Sequence, residues 1–378
     1  MWDRRLLRNL DYSLLCTVAG LTVVGLLMIY SATRANTALA YGDPYFFVKK
    51  QLASVVIGLL GMALIFLLDY RLSDLAYQIL YVMNLFFLVL VLVFGEKISG
   101  ARAWLNFGLF SVQPAEFSKL FLILTLAKLL SERENLNTLK GLLIPFLHVT
   151  PCLVLILLQP DFGTAMVFVF FFFVMLFMAG VKVRYLLGII FLGLCVLGAM
   201  WGAHYYFDFP LLFKDYQIDR LLIFLNPDRD PAGAGWNVRQ AVIAVGSGRF
   251  FGKGLFQNTQ GQLGFLPENY TDFIFAVFCE EWGFIGGFIL LGLFFFLIWR
   301  SLRVAQHAKE KYGTLIASGI MAMFLFHILE NVGMNMGIMP VTGIPLPFIS
   351  YGGSAMAANL LCIGYLESIW VRKQKILF

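Results

Sequence analysis

Ten runs of about twenty apolar residues follow one another along this chain, and most are separated only by short polar segments. An α-helix needs about 20 apolar residues to cross the ~30 Å hydrocarbon core of a bilayer. Charged residues make up 13% of the chain, against roughly 25% in soluble domains. The pattern predicts an all-α polytopic membrane protein with about ten transmembrane helices, forming a single integral membrane domain over residues 1–378. The runs lie near 12–31, 51–69, 75–94, 113–131, 141–158, 163–180, 184–206, 271–299, 312–337 and 350–371.

Lysine and arginine are distributed unequally between the two sides of these runs. With the N-terminus inside, the inner segments hold 15 cations: Arg4, Arg5, Arg8, Arg71, Arg133, Lys140, Lys182, Arg184, Arg300, Arg303, Lys309, Lys311, Arg372, Lys373 and Lys375. The short outer loops hold five: Arg34, Lys49, Lys50, Lys97 and Arg102. Because cytoplasmic loops carry the excess of cations, we expect both termini in the cytoplasm. No compact basic patch indicates a nucleic-acid partner.

The segment 207–270, between the seventh and eighth runs, is too long for a simple connection and is expected to be functional on the outer side. It mixes aromatic, glycine and cationic residues, and 218–225 and 238–245 have the pattern of short amphipathic helices. A cationic, glycine-rich surface beside lipid suits an anionic headgroup such as a phosphate or pyrophosphate. The alternative is a solvated loop with ordinary positive residues.

Asp272 closes this polar segment, and a long apolar run follows directly. A carboxylate at such a boundary is half hydrated, so its pKa can be tuned without the full penalty of burial. A base that acts on a membrane-bound substrate would have to lie there. The alternative is an N-terminal helix cap, a role that suits both Thr271 and Asp272.

Several other ionisable groups lie at or inside the apolar runs, where they are costly. Glu116 and Lys119 are three residues apart and share a helix face, so they can pair, either as a neutral structural pair or facing a water-filled cavity. Asp161 either caps the sixth helix or contacts substrate. His327 and Glu330 lie one turn apart and could relay protons, with a structural hydrogen bond as the alternative.

The segment 331–354 carries three prolines and several glycines but no charge. Irregular backbone at membrane depth is tolerated where protein buries it or where it lines a cavity. We therefore expect a loop that dips back into the outer face. No histidine and cysteine set has metal-ligand spacing, and no cofactor motif is evident; a divalent cation (Mg²⁺ or Mn²⁺) stays an open alternative.

Five segments in this order resemble the signature segments of the SEDS family (shape, elongation, division and sporulation). They are Gly100-Ala-Arg-Ala-Trp104, Gln113-Pro-Ala-Glu-Phe-Ser-Lys119, Gln159-Pro-Asp-Phe-Gly-Thr164, Phe265-Leu-Pro-Glu268 with Thr271-Asp272, and the stretch from Pro340 to Ser354. The similarity covers essentially the whole chain, and 252–260 with the short N-terminal tail resembles the rod-shape branch more than the division branch.

The resemblance implies a peptidoglycan glycosyltransferase that polymerises lipid II at the outer face of the bacterial inner membrane, during cell elongation, and releases undecaprenyl pyrophosphate. It implies Asp272 as the general base of an inverting displacement. Glu280 is a rival base, but eight residues of helix would place it ~12 Å deeper. The family often has a histidine just before its Thr-Asp pair, whereas this chain has Tyr270.

A leaving pyrophosphate needs cations nearby, and Glu116 would position Lys119 or a divalent ion. The predicted substrate-binding residues are Arg102, Trp104, Glu116, Lys119, Asp161, Arg220, Arg239, Lys253 and Glu268. The implied partners are lipid II, the lipid bilayer and a class B penicillin-binding protein, a transpeptidase of the cell-elongation complex.

Two other functions stay open. One is a lipid II flippase, and the other is a non-catalytic scaffold for the transpeptidase. A flippase needs polar groups through the whole bilayer depth, whereas here they concentrate at the outer side, which favours the enzyme.

Overall fold

The computed structural model describes residues 8–34, 42–98, 101–106, 108, 111–207, 215–231 and 233–373. In chain order its helices are α1 (Tyr12–Thr33), α2 (Phe46–Leu67), α3 (Leu72–Leu75), α4 (Tyr77–Phe94), α5 (Pro114–Ser131), α6 (Leu139–Leu158), α7 (Phe162–Met178), α8 (Val183–Phe207), α9 (Asp215–Leu225), α10 (Ala234–Ser247), α11 (Thr259–Gln262), α12 (Ile274–His307), α13 (Lys311–Asn335) and α14 (Gly353–Val371). A 3₁₀ turn covers Pro227–Arg229, and the strands are β1 (Glu96–Ile98), β2 (Ala101–Asn106) and β3 (Ser111–Val112).

Ten helices in the described part of the chain have 17 or more residues, and each overlaps one of the predicted runs. Eight of them are long and apolar enough to cross a membrane. Helix α7 has only 17 residues. Helix α5 carries Glu116, Lys119 and Lys128 within its 18 residues. The structure thus confirms a polytopic helical membrane protein, while ten spans stays a prediction.

The core of the molecule lies around α13 and α14. In the most apolar 18-residue window of each helix, 78% of the residues of α13 and 83% of those of α14 are buried, whereas only 6% are buried in α8. Helix α14 packs along α2 at close range, because a Cβ on Gly58 would lie 2.6 Å from Leu360 and one on Gly364 would lie 2.9 Å from the Met62 carbonyl. Small residues let helix backbones approach within a membrane. The apolar side chains of α8 are left to face lipid.

The all-helical prediction omitted three short strands. Strands β1, β2 and β3 form an antiparallel sheet in sequence order, and β2 packs against α4 and α5. Strand β1 has three residues and β3 has two. Neither is long enough to show the alternating apolar pattern that predicts a strand.

The segment between α8 and α12 contains the two helices expected from the sequence, α9 and α10. Helix α10 packs against α12 and α13, and Val242 of α10 faces Gly337 just beyond α13, where a Cβ would lie 3.2 Å from it. The segment is thus docked on the helices that carry the candidate site.

Helix α12 is broken at Gly283, which adopts φ 67° and ψ −165°. The N–H groups of Phe284 and Ile285 donate to the carbonyls of Arg249 (2.8 Å) and Phe250 (3.1 Å) instead of to their own helix. A break inside an apolar helix frees backbone groups that must find other partners, and the chain just after α10 supplies them.

The other side of the same break is satisfied in the same way. The freed carbonyls of Glu280 and Glu281 accept the N–H groups of Lys253 (3.0 Å) and Gly254 (3.1 Å). Gly252 lies so close that a Cβ there would lie 2.0 Å from the Glu281 carbonyl oxygen. Residues 249–254 therefore complete the hydrogen bonding of α12.

Candidate active site

A short turn presents Asp272 immediately before α12. The Glu268 carbonyl accepts the N–H groups of Thr271 and Phe273, both at 3.2 Å, and Glu268 has a φ of 52°. The Thr271 hydroxyl lies 3.1 Å from the Glu268 carboxylate. These contacts fix the peptide on both sides of Asp272, whose side chain is partly exposed.

Asp272 does not cap the helix that follows, so the capping interpretation is wrong. The N-cap residue is Phe273, and its side chain makes no capping hydrogen bond. Instead, Asn335 of α13 accepts the N–H of Ala276 through Oδ1 at 3.1 Å. The carboxylate of Asp272 is left available for another role.

Two asparagines of α13 hold the Asp272 backbone. Asn331 Nδ2 donates to the carbonyls of Asp272 (2.9 Å) and Ile344 (2.8 Å), and Asn335 Nδ2 donates to the Asp272 carbonyl (3.0 Å). Both asparagines are fully buried. They join the start of α12 to the segment that follows α13.

Residues 336–352, between α13 and α14, have no helix or strand, as the proline and glycine pattern predicts. Ser350 Oγ donates to the Thr271 carbonyl (2.7 Å), and Tyr351 N–H donates to the Tyr270 carbonyl (2.9 Å). One backbone and one side-chain hydrogen bond thus join this irregular segment to the turn that carries Asp272. A Cβ on Gly343 would lie 3.4 Å from Asp272 Oδ2.

The environment makes Asp272 a stronger base than an ordinary aspartate. Burial, and after it the charge of Glu268, raise its pKa to about 6, although Arg220 and a hydrogen bond from Thr271 oppose the shift. Near neutral pH such a group is mostly ionised yet basic enough to accept a proton. Burial also raises the pKa of Tyr270 to about 12, so this neighbour stays neutral.

A small cavity of about 40 Å³ is also lined by Gly343. Its walls are formed by Gln113, Glu116, Lys119, Asp161, Thr164, Val167, His327, Gly343, Ile344 and Pro345. Lys119 Nζ pairs with Glu116 Oε1 at 2.8 Å, and both side chains are buried. Glu116 Oε2 has no hydrogen-bond partner among the described residues. The predicted Glu116–Lys119 pair therefore forms, and it faces a cavity.

His327 belongs to this cavity, whereas Glu330 does not line it. Nδ1 of His327 lies 3.2 Å from the Pro345 carbonyl and Nε2 lies 3.1 Å from Lys119 Nζ. Because a carbonyl only accepts, Nδ1 donates and Nε2 accepts from the ammonium. Glu330 accepts the hydroxyl of Thr342. The two residues thus bond to different partners.

Asp161 caps α7 and also reaches the cavity. Its Oδ1 accepts the N–H of Thr164 and its Oδ2 accepts the hydroxyl of the same residue, both at 2.9 Å. Gln113 Nε2 lies 3.4 Å from Oδ2. The capping role is confirmed, and Asp161 is also one of the residues that line the cavity.

The predicted cations separate into two groups. Arg220 Nη1 donates to the Thr342 carbonyl at 3.1 Å and acts on the charge of Asp272, while Lys119 lines the cavity. Arg239 pairs with Asp228, and Lys253 pairs with Glu280. These last two contacts involve neither Asp272 nor the cavity.

Arg102 and Trp104 lie on β2, which packs against α4 and α5. Arg102 is exposed and Trp104 is partly buried. Among the described residues, neither side chain forms a hydrogen bond, ion pair or ring contact with Asp272. Their role in substrate binding stays a prediction.

Glu280 is not placed as a base. It is fully buried, and its Oε1 accepts the N–H of Thr259 (3.0 Å), the Thr259 hydroxyl (2.7 Å) and the Lys253 ammonium, while Oε2 accepts from Gln260. It anchors the 253–260 segment.

Sequence reasoning singled out the segment 331–354 but gave no site role to the residues in it that position the aspartate, namely Asn331, Asn335, Thr342, Gly343 and Ser350. A signal for two of them was present, because His327, Asn331 and Asn335 recur every fourth residue on an otherwise apolar helix. That spacing puts three polar side chains on one face.

Comparison with known proteins agrees with this geometry. A family profile named for FtsW, RodA and SpoVE, and described as "Cell cycle protein", matches residues 12–375. The chain belongs to the FtsW/RodA/SpoVE family. This is the SEDS family that the five motif segments indicate.

Individual members of the FtsW/RodA/SpoVE family match over nearly the whole chain. Stage V sporulation protein E of Bacillus subtilis is 40% identical, covering 92% of this chain and 93% of that protein. Peptidoglycan glycosyltransferase RodA of Treponema pallidum is 34% identical, covering 97% of this chain and 98% of that protein. A chain from a solved peptidoglycan synthase complex that coordinates polymerization and crosslinking aligns with a TM-score of 0.80 at 34% identity, covering 96% of this chain and 98% of that one.

Proposed function

We propose that this chain is a peptidoglycan glycosyltransferase that polymerises lipid II at the outer face of the bacterial inner membrane. The observation that carries the proposal is Asp272, a partly exposed carboxylate with a pKa of about 6, held by backbone contacts beside Arg220 and a cavity with Lys119. The relatives named as peptidoglycan glycosyltransferases support it.

The proposed reaction is a single inverting displacement. Asp272 accepts the proton of the incoming sugar 4-hydroxyl as that oxygen attacks the anomeric carbon of the lipid-linked sugar. The bond from that carbon to the pyrophosphate oxygen breaks, and undecaprenyl pyrophosphate leaves with the bonding pair. General-base assistance contributes roughly 10²–10⁴-fold, and Arg220 and Lys119 would stabilise the departing charge.

We propose a divalent cation only as a group that would bind together with the substrate. Within the described residues, no group of three or more histidine, cysteine and acidic side chains is placed to hold a metal. Mg²⁺ is often bound by one or two carboxylates together with substrate phosphates. Glu116, whose Oε2 lacks a partner, would supply such an oxygen, and the pyrophosphate would supply the others.

Polymerisation in detergent separates the enzyme from a flippase. The purified chain is incubated with lipid II in micelles, with and without a transpeptidase partner, and the products are resolved by gel electrophoresis. Glycan strands support the proposal because a transporter makes no glycosidic bond. Transport of lipid II in vesicles with no strands under either condition would favour the flippase.

We further propose a class B penicillin-binding protein as partner, within the cell-elongation complex. The solved complex that this chain resembles joins polymerization to crosslinking, which supports a partner of this kind. The chain is 40% identical to the sporulation relative and 34% identical to RodA. A photo-crosslinker at exposed Trp236 should capture the partner's outer stalk; no crosslink from this or neighbouring outer positions would count against contact through this segment.

A further inference from the structure

Three residues converge on the turn Thr342–Gly343. From α13, Glu330 Oε1 accepts the Thr342 hydroxyl. From α9, Arg220 Nη1 donates to the Thr342 carbonyl at 3.1 Å. On its third side, a Cβ on Gly343 would lie 3.4 Å from Asp272 Oδ2. The turn is therefore the shared contact of the base and its neighbouring cation.

Glu330 supports this turn from inside the protein. Its side chain is 1% exposed, and it forms no ion pair among the described residues. Its Oε1 accepts the Thr342 hydroxyl, whereas its Oε2 is buried and has no hydrogen-bond partner among the described residues. A buried polar group with a single partner depends heavily on it. Thr342, through its hydroxyl and its backbone N–H, is thus the residue that connects Glu330 with the site.

We propose that Glu330 is a positioning residue for glycosyl transfer, which acts through the Thr342 hydroxyl to hold Arg220 beside Asp272. The inference rests on the proposed function, in which Asp272 is the base. The link needs an acceptor oxygen at position 330 and a hydroxyl at position 342, and it does not need a charge at position 330.

A broken link should change the charge balance around Asp272. The charged and titratable groups that act on Asp272 or lie in its range are Glu268 and Tyr270 of the turn, Arg220 of α9 and Glu330 of α13. Of these, only Arg220 favours the ionised form of Asp272 by its charge. If Arg220 moves away, Asp272 should hold its proton to higher pH.

The test measures protonation of Asp272 without catalysis. The full chain in nanodiscs is labelled with a carbodiimide, which reacts with protonated carboxyls, across a pH series, and label at Asp272 is quantified by mass spectrometry. Thr342→Val and Glu330→Leu should move the labelling midpoint to higher pH, as Arg220→Gln does. Thr342→Ser and Glu330→Gln, which keep the link, should keep the wild-type midpoint.

Polymerisation gives the second readout. At pH 6 the rate of Thr342→Val should fall about fivefold more than at pH 8, as expected when a carboxylate loses part of a guanidinium's effect. In the Arg220→Gln/Thr342→Val double variant, the labelling midpoint should lie at the same pH as in Arg220→Gln alone. Thr22→Val, which removes a buried hydroxyl bonded within α1, is the matched control.

An unchanged midpoint in Thr342→Val, or a shift that adds to that of Arg220→Gln, would overturn the proposal. A lower midpoint in Glu330→Gln would do so as well, because it would show that Glu330 acts through charge. If Asp272→Asn instead retained full activity, the proposed base would be wrong, and the labelling midpoints would still decide whether the link exists.

Discussion

At the scale of single residues, the site depends on how one aspartate is held. Asp272 receives no support from the helix that it precedes; Asn331 and Asn335 hold its carbonyl, and Ser350 holds the residue before it. The side chain can then remain partly hydrated while its backbone is fixed. Such preorganisation is what general-base catalysis requires.

The charges around Asp272 predict opposite pH shifts for two variants. With a pKa of about 6, Asp272 is ionised above that pH, so the rate should fall as pH drops through 6. Glu268→Gln removes a like charge, so this fall in rate, the acid limb of the pH profile, should move to lower pH. Arg220→Gln removes an opposite charge, so it should move to higher pH. The pH dependence of kcat/KM measures both.

The matched control is Glu310→Gln, which removes an exposed carboxylate paired with Arg71. Its acid limb should coincide with that of the wild type. Equal shifts in Glu268→Gln and Arg220→Gln would show that Asp272 is not the titrating group.

Asn335→Ala should weaken both stability and catalysis. It leaves the Ala276 N–H without its side-chain acceptor and removes one of two donors to the Asp272 carbonyl. An unsatisfied buried group costs about 1–3 kcal/mol, so Tm should fall, and kcat should fall because the turn is freed. Asn84 is buried on α4 and, within the part of the chain that the structure describes, hydrogen-bonds only to the Cys152 sulfur, so Asn84→Ala should leave kcat unchanged. A wild-type kcat in Asn335→Ala would contradict the positioning role.

At the scale of elements, α12 depends on a partner segment for its integrity. Its break at Gly283 is closed by four backbone hydrogen bonds to residues 249–254. The segment between α8 and α12 is thereby attached to the helix that begins beside Asp272. Movement of one must be accompanied by movement of the other.

Gly283→Ala tests this attachment. The residue has φ 67° and ψ −165°, and a Cβ would lie 2.3 Å from the Gly252 nitrogen. We expect a loss of at least ~2 kcal/mol in unfolding free energy, seen as a lower Tm in detergent. Gly292→Ala on the same helix meets nothing within 4 Å and should hold or raise Tm. Equal Tm values for the two variants would contradict the account.

Much of the element structure could be predicted from the sequence, because apolar length alone indicates a helix in lipid. The runs near 12–31 and 184–206 correspond closely to α1 and α8. The strands were missed because they are short, and the break in α12 was missed because one glycine inside a long predicted span does not by itself mark a break. Its partners come from residues about thirty positions earlier, which no local pattern can show.

At the scale of the whole molecule, the site is assembled from separate parts of the chain. Asp272, Arg220 and Thr342 come from three segments, and Glu116 and Lys119 come from a fourth. Sequence reasoning identified Asp272 and the Glu116–Lys119 pair, since ionisable groups are rare in apolar runs. It could not separate Arg220 from Arg239 or Lys253, because only the fold shows which cations are already paired elsewhere.

The most direct test of the central claim is glycan strand formation from lipid II by Asp272→Asn. The variant keeps the size and polarity of the side chain but cannot accept the proton. We expect the rate to fall by roughly 10²–10⁴-fold, with Tm and partner binding unchanged. Asp43→Asn, an exposed aspartate paired with Lys49, should polymerise at the wild-type rate. Wild-type strand formation by Asp272→Asn would contradict the claim that this carboxylate is the base.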